Sequence, residues 1–104
     1  MSNTDYHEVL WPRAARKVSR KALAPRPASL EGKVIAQAWD YLFRGDEVFA
    51  ALEEGLKARY PGVKFIGFDA IGNTHGNDER AVVAAMPAKL KSLGADAVIS
   101  GMGC

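Results

Sequence analysis

Three side chains of this 104-residue sequence are the main candidates for catalysis or ligand binding: those of Cys104, His75 and Arg44. Cys104 is the single cysteine and follows Gly101-Met102-Gly103. A thiol beside glycine-rich backbone can have its thiolate stabilised by nearby N–H groups, which raises the reactive fraction. A thiolate with an imidazole in reach is the usual arrangement for nucleophilic or redox catalysis. We therefore predict that Cys104 and His75 are catalytic. A small apolar residue explains Cys104 equally well, and spacing alone slightly favours a surface loop histidine at His75.

A second group of residues is suited to binding a ligand. Arg44 can clamp a carboxylate, and the glycines near the end of the sequence let backbone approach a ligand or a partner. Gly101-x-Gly103 is too short for a dinucleotide fingerprint, and His75 has no second ligand at a recognisable interval, so no metal site is predicted. No cofactor is assigned. The predicted substrate-binding residues are Arg44, Asn73, Thr74, Gly101 and Gly103.

Alternating strands and helices must position these residues. The hydrophobic pattern predicts strands at residues 33–40, 63–69 and 95–100, with helices at 46–59 and from 78 to about 93. Such β-α-β units cross over right-handed into a parallel sheet. The fold class is therefore α/β, a three-stranded β-α-β-α-β half of a Rossmann-like or flavodoxin-like sheet.

Single residues mark the ends of the second helix. Asn77 is a plausible N-cap and Gly94 ends the helix. Pro87 should kink or split it, because proline cannot donate the backbone hydrogen bond there.

In an open parallel sheet, ligands bind beyond the carboxyl ends of the strands. The three loops at that edge are residues 39–46, 69–77 and 101–104, and they contain all the candidate residues above. Three strands are about half of a doubly wound domain, and the third would be an exposed apolar edge. We therefore expect residues 32–104 to be a half-domain that a second protein chain completes, with truncation of a longer protein as the alternative.

Residues 1–31 form a separate N-terminal arm. Two prolines, Pro25 and Pro27, favour extended backbone, and residues 13–23 are predicted to form one short helix. Residues 1–28 have a net charge of +4, while the remainder has −2. A basic arm can bind nucleic acid, but no nucleic-acid module is recognisable, so we favour an arm that lies across a partner subunit.

The remaining composition excludes several classes of protein. One cysteine rules out an internal disulfide framework. The longest apolar runs are far short of a membrane span, and the polar N-terminus does not resemble a secretory signal. We expect a cytoplasmic location.

Several short motifs resemble the UGSC family, which is named for a selenocysteine- or cysteine-Gly-Ser-Cys motif. The matching positions are Leu23-Ala24-Pro25-Arg26, Leu30-Glu31-Gly32-Lys33 and Gly101-Met102-Gly103. The resemblance implies that Cys104 is the first residue of the motif or the residue just before it. It implies no role for His75.

The family's chains continue through the motif, whereas this sequence stops at Cys104. Three explanations are open: autocatalytic cleavage after Cys104, separately encoded halves of a heterodimer, or a stop codon that the native host reads as selenocysteine. The predicted function is that of an enzyme subunit with a shared active site and thiol- or nucleophile-dependent chemistry on a small polar substrate. The alternatives are a non-catalytic scaffolding or regulatory subunit and a subunit of a metal-dependent hydratase or lyase.

Overall fold

The computed structural model describes residues 5–15 and 18–101 of the chain. Within those residues it shows a mixed α/β fold built on one parallel sheet of three strands, in the order β2-β1-β3. The elements are β1 (Val34–Trp39), α1 (Gly45–Arg59), β2 (Lys64–Ile66), α2 (Phe68–Ile71), α3 (Glu79–Ser92) and β3 (Ala97–Gly101). The predicted alternation of strands and helices and the parallel sheet are confirmed.

β1 is the central strand and its side chains form the core. Val34 pairs with Lys64 of β2, and Ile35 to Trp39 pair with Ala97 to Gly101 of β3. Every residue from Ile35 to Trp39 is buried. A strand of a parallel sheet that is covered on both faces must be apolar throughout, and the sequence VIAQAW meets this requirement at all positions except Gln37.

The two longer helices cover opposite faces of the sheet. On one face Gln37 donates a hydrogen bond from Nε2 to Glu53 Oε1 of α1 at 3.0 Å, which satisfies the buried amide. On the other face Ala36 and Ala38 pack in a cluster with Ile71 of α2, and Met86 and Leu90 of α3 pack against it. The small alanine side chains let α2 and α3 approach the strand closely.

The structure corrects the predicted second strand. β2 ends at Ile66, and residues 68–71 form the short helix α2 instead of continuing the strand. Gly67 is still extended and Phe68 begins the helix, so Asp69 lies in the first turn of α2 rather than at the end of a strand. An apolar run such as FIGF is compatible with either structure, because periodicity cannot separate a short buried strand from a helix.

The predicted bounds of α3 are nearly correct, but its predicted N-cap is not, because the N-cap is Asp78 rather than Asn77. α3 runs through Pro87 as one element, so the helix is not split there, and the alternative of a kink stays a prediction. Gly94 follows the helix with φ of +72°, a left-handed conformation that glycine adopts without steric cost. Its predicted role as the end of the helix is confirmed.

The described part of the N-terminal segment has no helix or strand. Residues 5–15 and 18–29 are exposed, so the short helix predicted at 13–23 is not present in the described residues of that range. Arg16 and Lys17 lie outside the described residues. The segment meets the body at Glu31, whose Oε1 accepts a hydrogen bond of 2.6 Å from the backbone N–H of Gly62, just beyond the end of α1.

β3 lies at one edge of the sheet formed by the described residues, as predicted. Its hydrogen-bonded partner there is β1 alone, and Val98 on this strand is 44% exposed. An open apolar edge of this kind is a site for pairing with further polypeptide.

None of the helices in the described ranges combines the length and the hydropathy that a bilayer crossing requires.

Candidate functional site

A cluster of aromatic rings occupies the carboxyl end of β1. The rings of Trp39 and Tyr41 stack with their centroids 4.7 Å apart. Phe68 at the start of α2 meets both edge-on, with centroid distances of 4.9 Å to Trp39 and 5.6 Å to Tyr41. Phe49 of α1 lies 5.9 Å from Phe68. Such ring pairs add stability beyond the area they bury, so the cluster stabilises this end of the strand.

The loop that follows Trp39 has an unusual backbone. Tyr41 and Phe43 have φ of 61° and 60°, the left-handed region that bulky side chains rarely adopt. Two hydrogen bonds hold the loop: Trp39 Nε1 donates to the carbonyl of Leu42 at 2.9 Å, and the N–H of Leu42 donates to Asp40 Oδ1 at 3.1 Å. Backbone strain of this kind persists only where surrounding contacts fix it, and such residues cluster at functional sites.

Two glycines let the neighbouring elements approach this loop. A Cβ atom on Gly45, the first residue of α1, would overlap the indole ring of Trp39. A Cβ atom on Gly101, the last residue of β3, would lie 3.1 Å from Cζ of Phe49. Gly45 therefore needs glycine for steric reasons, whereas a side chain at Gly101 would require the Phe49 ring to shift slightly. The sequence analysis predicted a close approach at Gly101, but to a ligand or a partner, and anticipated neither contact.

A cleft of about 370 Å³ lies between α1 and β3. Its lining is mostly apolar, with backbone from the end of β3 and the guanidinium-bearing Arg44 at the start of α1. The lining residues are Trp39, Leu42, Phe43, Arg44, Gly45, Val48, Phe49, Leu52, Ile99, Ser100 and Gly101. The Arg44 side chain is exposed and lies 3.8 Å from Glu47, so it remains accessible to an anionic ligand group.

The loop between α2 and α3 lies beside the loop after β1. Asn73 forms a parallel bridge with Trp39, and the N–H of Thr74 donates to the Trp39 carbonyl at 3.2 Å. The predicted meeting of these two loops at one edge of the sheet is therefore observed. Within the loop, Asn73 Oδ1 accepts a hydrogen bond of 2.8 Å from the N–H of His75. The Asn73 side chain thus stabilises the turn in which it lies.

His75 lies on the surface of this loop. Its Nδ1 is 3.7 Å from Glu79 Oε2, one turn along the chain at the start of α3, and both side chains are more than half exposed. An exposed pair of this kind contributes little to stability. Thr74 lines a second, more open depression on the α3 side with Glu79, Arg80, Val83 and Ala84.

The predicted site residues therefore fall into three groups. Arg44 and Gly101 line the cleft between α1 and β3. Asn73, Thr74 and His75 form the adjacent loop. Cys104 and Gly103 lie outside the described residues, so the predicted pairing of Cys104 with His75 stays a prediction. Among the residues that the structure describes, no group of three or more His, Cys, Asp and Glu side chains is placed to hold a metal ion.

The aromatic cluster was missed by the sequence analysis. Trp39, Tyr41, Phe49 and Phe68 are spread over three elements and share no period, so hydrophobic patterning could not link them. The one available signal was the group of three aromatic residues, Trp39, Tyr41 and Phe43, in the loop predicted after the first strand. That loop was assessed for its polar residues only.

Taken together, the fold and the site define a small parallel α/β domain with a cleft at the carboxyl ends of its strands. The UGSC family model matches residues 8–104, which is most of the chain, and the chain belongs to the UGSC family. No curated protein and no solved structure matches it.

Proposed function

We propose that this chain is a subunit of an enzyme whose active site lies in the cleft between α1 and β3 and is completed by a second protein chain. The observation that supports this most is the position of the cleft. From β1 the sheet continues to β2 on one side and to β3 on the other. Ligands of open α/β sheets bind in the crevice where the strand order reverses, and the cleft lies at that crevice.

The sheet order supports the finer fold assignment. The order β2-β1-β3 with helices on both faces is that of the first three strands of a flavodoxin-like sheet, 2-1-3-4-5. In that interpretation β3 is an interior strand whose outer neighbour comes from elsewhere. The open edge and the exposed Val98 are consistent with a second chain pairing there.

The dimensions and chemistry of the cleft suit a small molecule. Its volume of about 370 Å³ falls in the range of small-molecule sites. The apolar wall beside Arg44, formed by Trp39 and Leu42, would hold the hydrocarbon part of a small polar substrate, and Arg44 would bind an anionic group on it. Gly101 would allow its backbone to approach the ligand.

Cys104 is the proposed nucleophile. Only three peptide units separate it from Gly101 in the cleft wall, which limits the distance between their Cα atoms to about 11 Å. His75 lies in the neighbouring loop and would act as the acid or base. Redox, hydrolytic and eliminative reactions of a thiolate all fit this arrangement.

The test is to purify the protein from its native gene context and to measure the intact masses of everything that co-purifies. The proposal expects this chain together with a second chain in a fixed ratio. In that complex, Cys104→Ser should abolish turnover, while His75→Ala should reduce it by about 100-fold or more if His75 is the acid or base. A folded chain that purifies without a second chain, or full activity of Cys104→Ser, would overturn the proposal.

The second candidate is a scaffolding or regulatory subunit. The exposed N-terminal segment, with Val9, Leu10 and Trp11 unburied, favours this role because such apolar surface is typical of a binding element. Deleting residues 1–28 separates the candidates. Loss of assembly with catalysis retained by the second chain alone supports scaffolding, whereas loss of catalysis on Cys104→Ser with assembly intact supports the enzyme subunit.

A further inference from the structure

Two apolar surfaces of the chain reach solvent, although Phe49 in the first of them is itself buried. The proposed function places the substrate at the Arg44 end of the cleft and assigns no partner to either surface. The first is the lower cleft, formed by Val48, Phe49 and Leu52 of α1 and Ile99 of β3, below the end that holds Arg44 and Gly101. The second is the apolar strip, formed by Tyr6, Val9, Leu10 and Trp11, whose exposed fractions run from 70% to 94%. Apolar patches that stay in water on a folded protein usually mark interaction sites.

The lower cleft is suited to binding an extended segment rather than a helix. It lies between a helix and the edge strand of a sheet, and residues 45 to 52 of α1 span only about 10 Å along the helix axis. The described residues on either side of the apolar strip are neither helical nor paired as strands. The largest side chain of such a segment, Trp11, would occupy only the lower part of the cleft, whose whole volume is about 370 Å³.

The charges around the two surfaces are complementary. Between residues 46 and 54 α1 has four acidic side chains and no basic one. These residues are Asp46, Glu47, Glu53 and Glu54. The N-terminal segment has the opposite sign, with a net charge of +4 over residues 1–28, and its basic residues follow Trp11 directly, beginning at Arg13. A segment with Trp11 in the lower cleft would place those basic side chains near the acidic part of α1.

The geometry points to a second copy of the chain as the source of this segment. The N-terminal segment leaves the body beside Gly62, at the opposite end of α1 from Arg44, and Pro25 and Pro27 favour extended backbone there. In the structure the segment does not fold back, since residues 5–15 and 18–29 are exposed. Each copy has one apolar strip and one lower cleft, so two copies can exchange segments with two-fold symmetry and bury both surfaces.

We propose that the N-terminal segment of one copy binds in the lower cleft of a second copy, with Trp11 as the main anchor. The segment forms the lower wall of the candidate active site without filling the end at Arg44. This association joins two identical chains and does not depend on the second, different chain of the proposed function.

The test measures the dissociation constant of the full-length chain's dimer by sedimentation over a range of concentrations. Trp11→Ala and Val48→Asp should each raise this constant by about 30-fold or more, as for a buried interface anchor. Val83→Asp is the matched control, because Val83 on α3 and Val48 on α1 are 54% and 55% exposed. It should leave the constant within about twofold, since surface substitutions have small effects. Added salt should weaken the wild-type dimer.

Mixing the two variants distinguishes exchange between copies from other contacts. Trp11→Ala has an intact cleft and Val48→Asp has an intact segment, so the mixture should form a mixed dimer with one working contact, whereas each variant alone is monomeric. Circular dichroism confirms that both variants are folded, and Trp11→Ala lies in an exposed segment where folding is not at risk. A wild-type chain that stays monomeric would overturn the proposal. This includes a monomer whose segment binds the cleft of its own chain. A dimer that survives Trp11→Ala would overturn it as well.

Discussion

The loop after β1 and the loop before α3 lie side by side at one edge of the sheet, but they are held in different ways. The first, residues 40–44, is fixed by stacked aromatic rings and contains two residues with positive φ. The second, residues 72–78, is a polar turn shaped by its own Asn73 side chain. The loop that forms the cleft therefore differs from the second loop in its aromatic packing.

The largest effect that this comparison predicts is at Trp39. Trp39→Ala removes a ring that stacks on Tyr41 and meets Phe68 edge-on, and it leaves a cavity beside the buried strand. The free energy of unfolding should fall by about 3–5 kcal/mol. Urea denaturation followed by circular dichroism measures it. Trp39→Phe, which keeps a ring but loses the hydrogen bond to Leu42, should give an intermediate loss. A small effect of Trp39→Ala would show that the aromatic cluster does not hold the loop.

The next largest change in the free energy of unfolding is expected at Gly45, the glycine that begins α1. Gly45→Ala places a methyl group against the Trp39 indole, and overpacking of this kind costs about 1–3 kcal/mol. Gly55 lies in the interior of the same helix with no atom within 4 Å of its Cβ position. Gly55→Ala should therefore stabilise the protein by about 0.5–1 kcal/mol through helix propensity. Thermal or urea unfolding should show that the two substitutions change the free energy of unfolding in opposite directions. Changes in the same direction would contradict the close approach of Gly45 to Trp39.

A smaller effect of opposite direction is expected at Phe43. The side chain is 86% exposed and the residue has φ of 60°, so Phe43→Gly should relieve strain and raise stability by about 1 kcal/mol. Phe43→Ala keeps the Cβ atom and the strain, and serves as the control. If both variants have the same stability, the positive φ at residue 43 is not a source of strain.

The smallest effect is expected in the second loop. His75→Ala removes an exposed side chain whose contact with Glu79 is 3.7 Å long, so the free energy of unfolding should change by no more than about 0.5 kcal/mol. The same urea titration used for Trp39→Ala makes the comparison direct. A loss close to that of Trp39→Ala would mean that the two loops are equally rigid.

The order and type of the main elements could be predicted from the sequence because their signals are local. The apolar run around Val34–Trp39 and the helical pattern that ends at Arg59 gave bounds within one residue of the observed ones. Gly94 marked the end of α3 because glycine is the residue that left-handed backbone favours. These assignments depend on neighbours in the chain, which a single sequence displays.

The cleft could not be predicted because its walls come from distant parts of the chain. Gly45 is required by its contact with Trp39 and Gly101 lies close to Phe49, and a glycine in a sequence does not show what approaches it. The positive φ of Tyr41 and Phe43 carried no sequence signal, because glycine and asparagine are the residues that normally indicate such backbone. The change from strand to helix around Gly67 was hidden for a related reason, since apolar residues continue on both sides of it.

The most direct test of the proposed active site is an NMR titration of the ¹⁵N-labelled native complex with a set of small polar metabolites. The account predicts that a bound molecule shifts the indole N–H of Trp39 and the backbone N–H signals of Gly45 and Gly101, which surround the cleft. Shifts confined to Thr74, His75 and Arg80 would assign binding to the second loop. That result, or no shift at the cleft with any substrate that the complex turns over, would contradict the placement of the active site between α1 and β3.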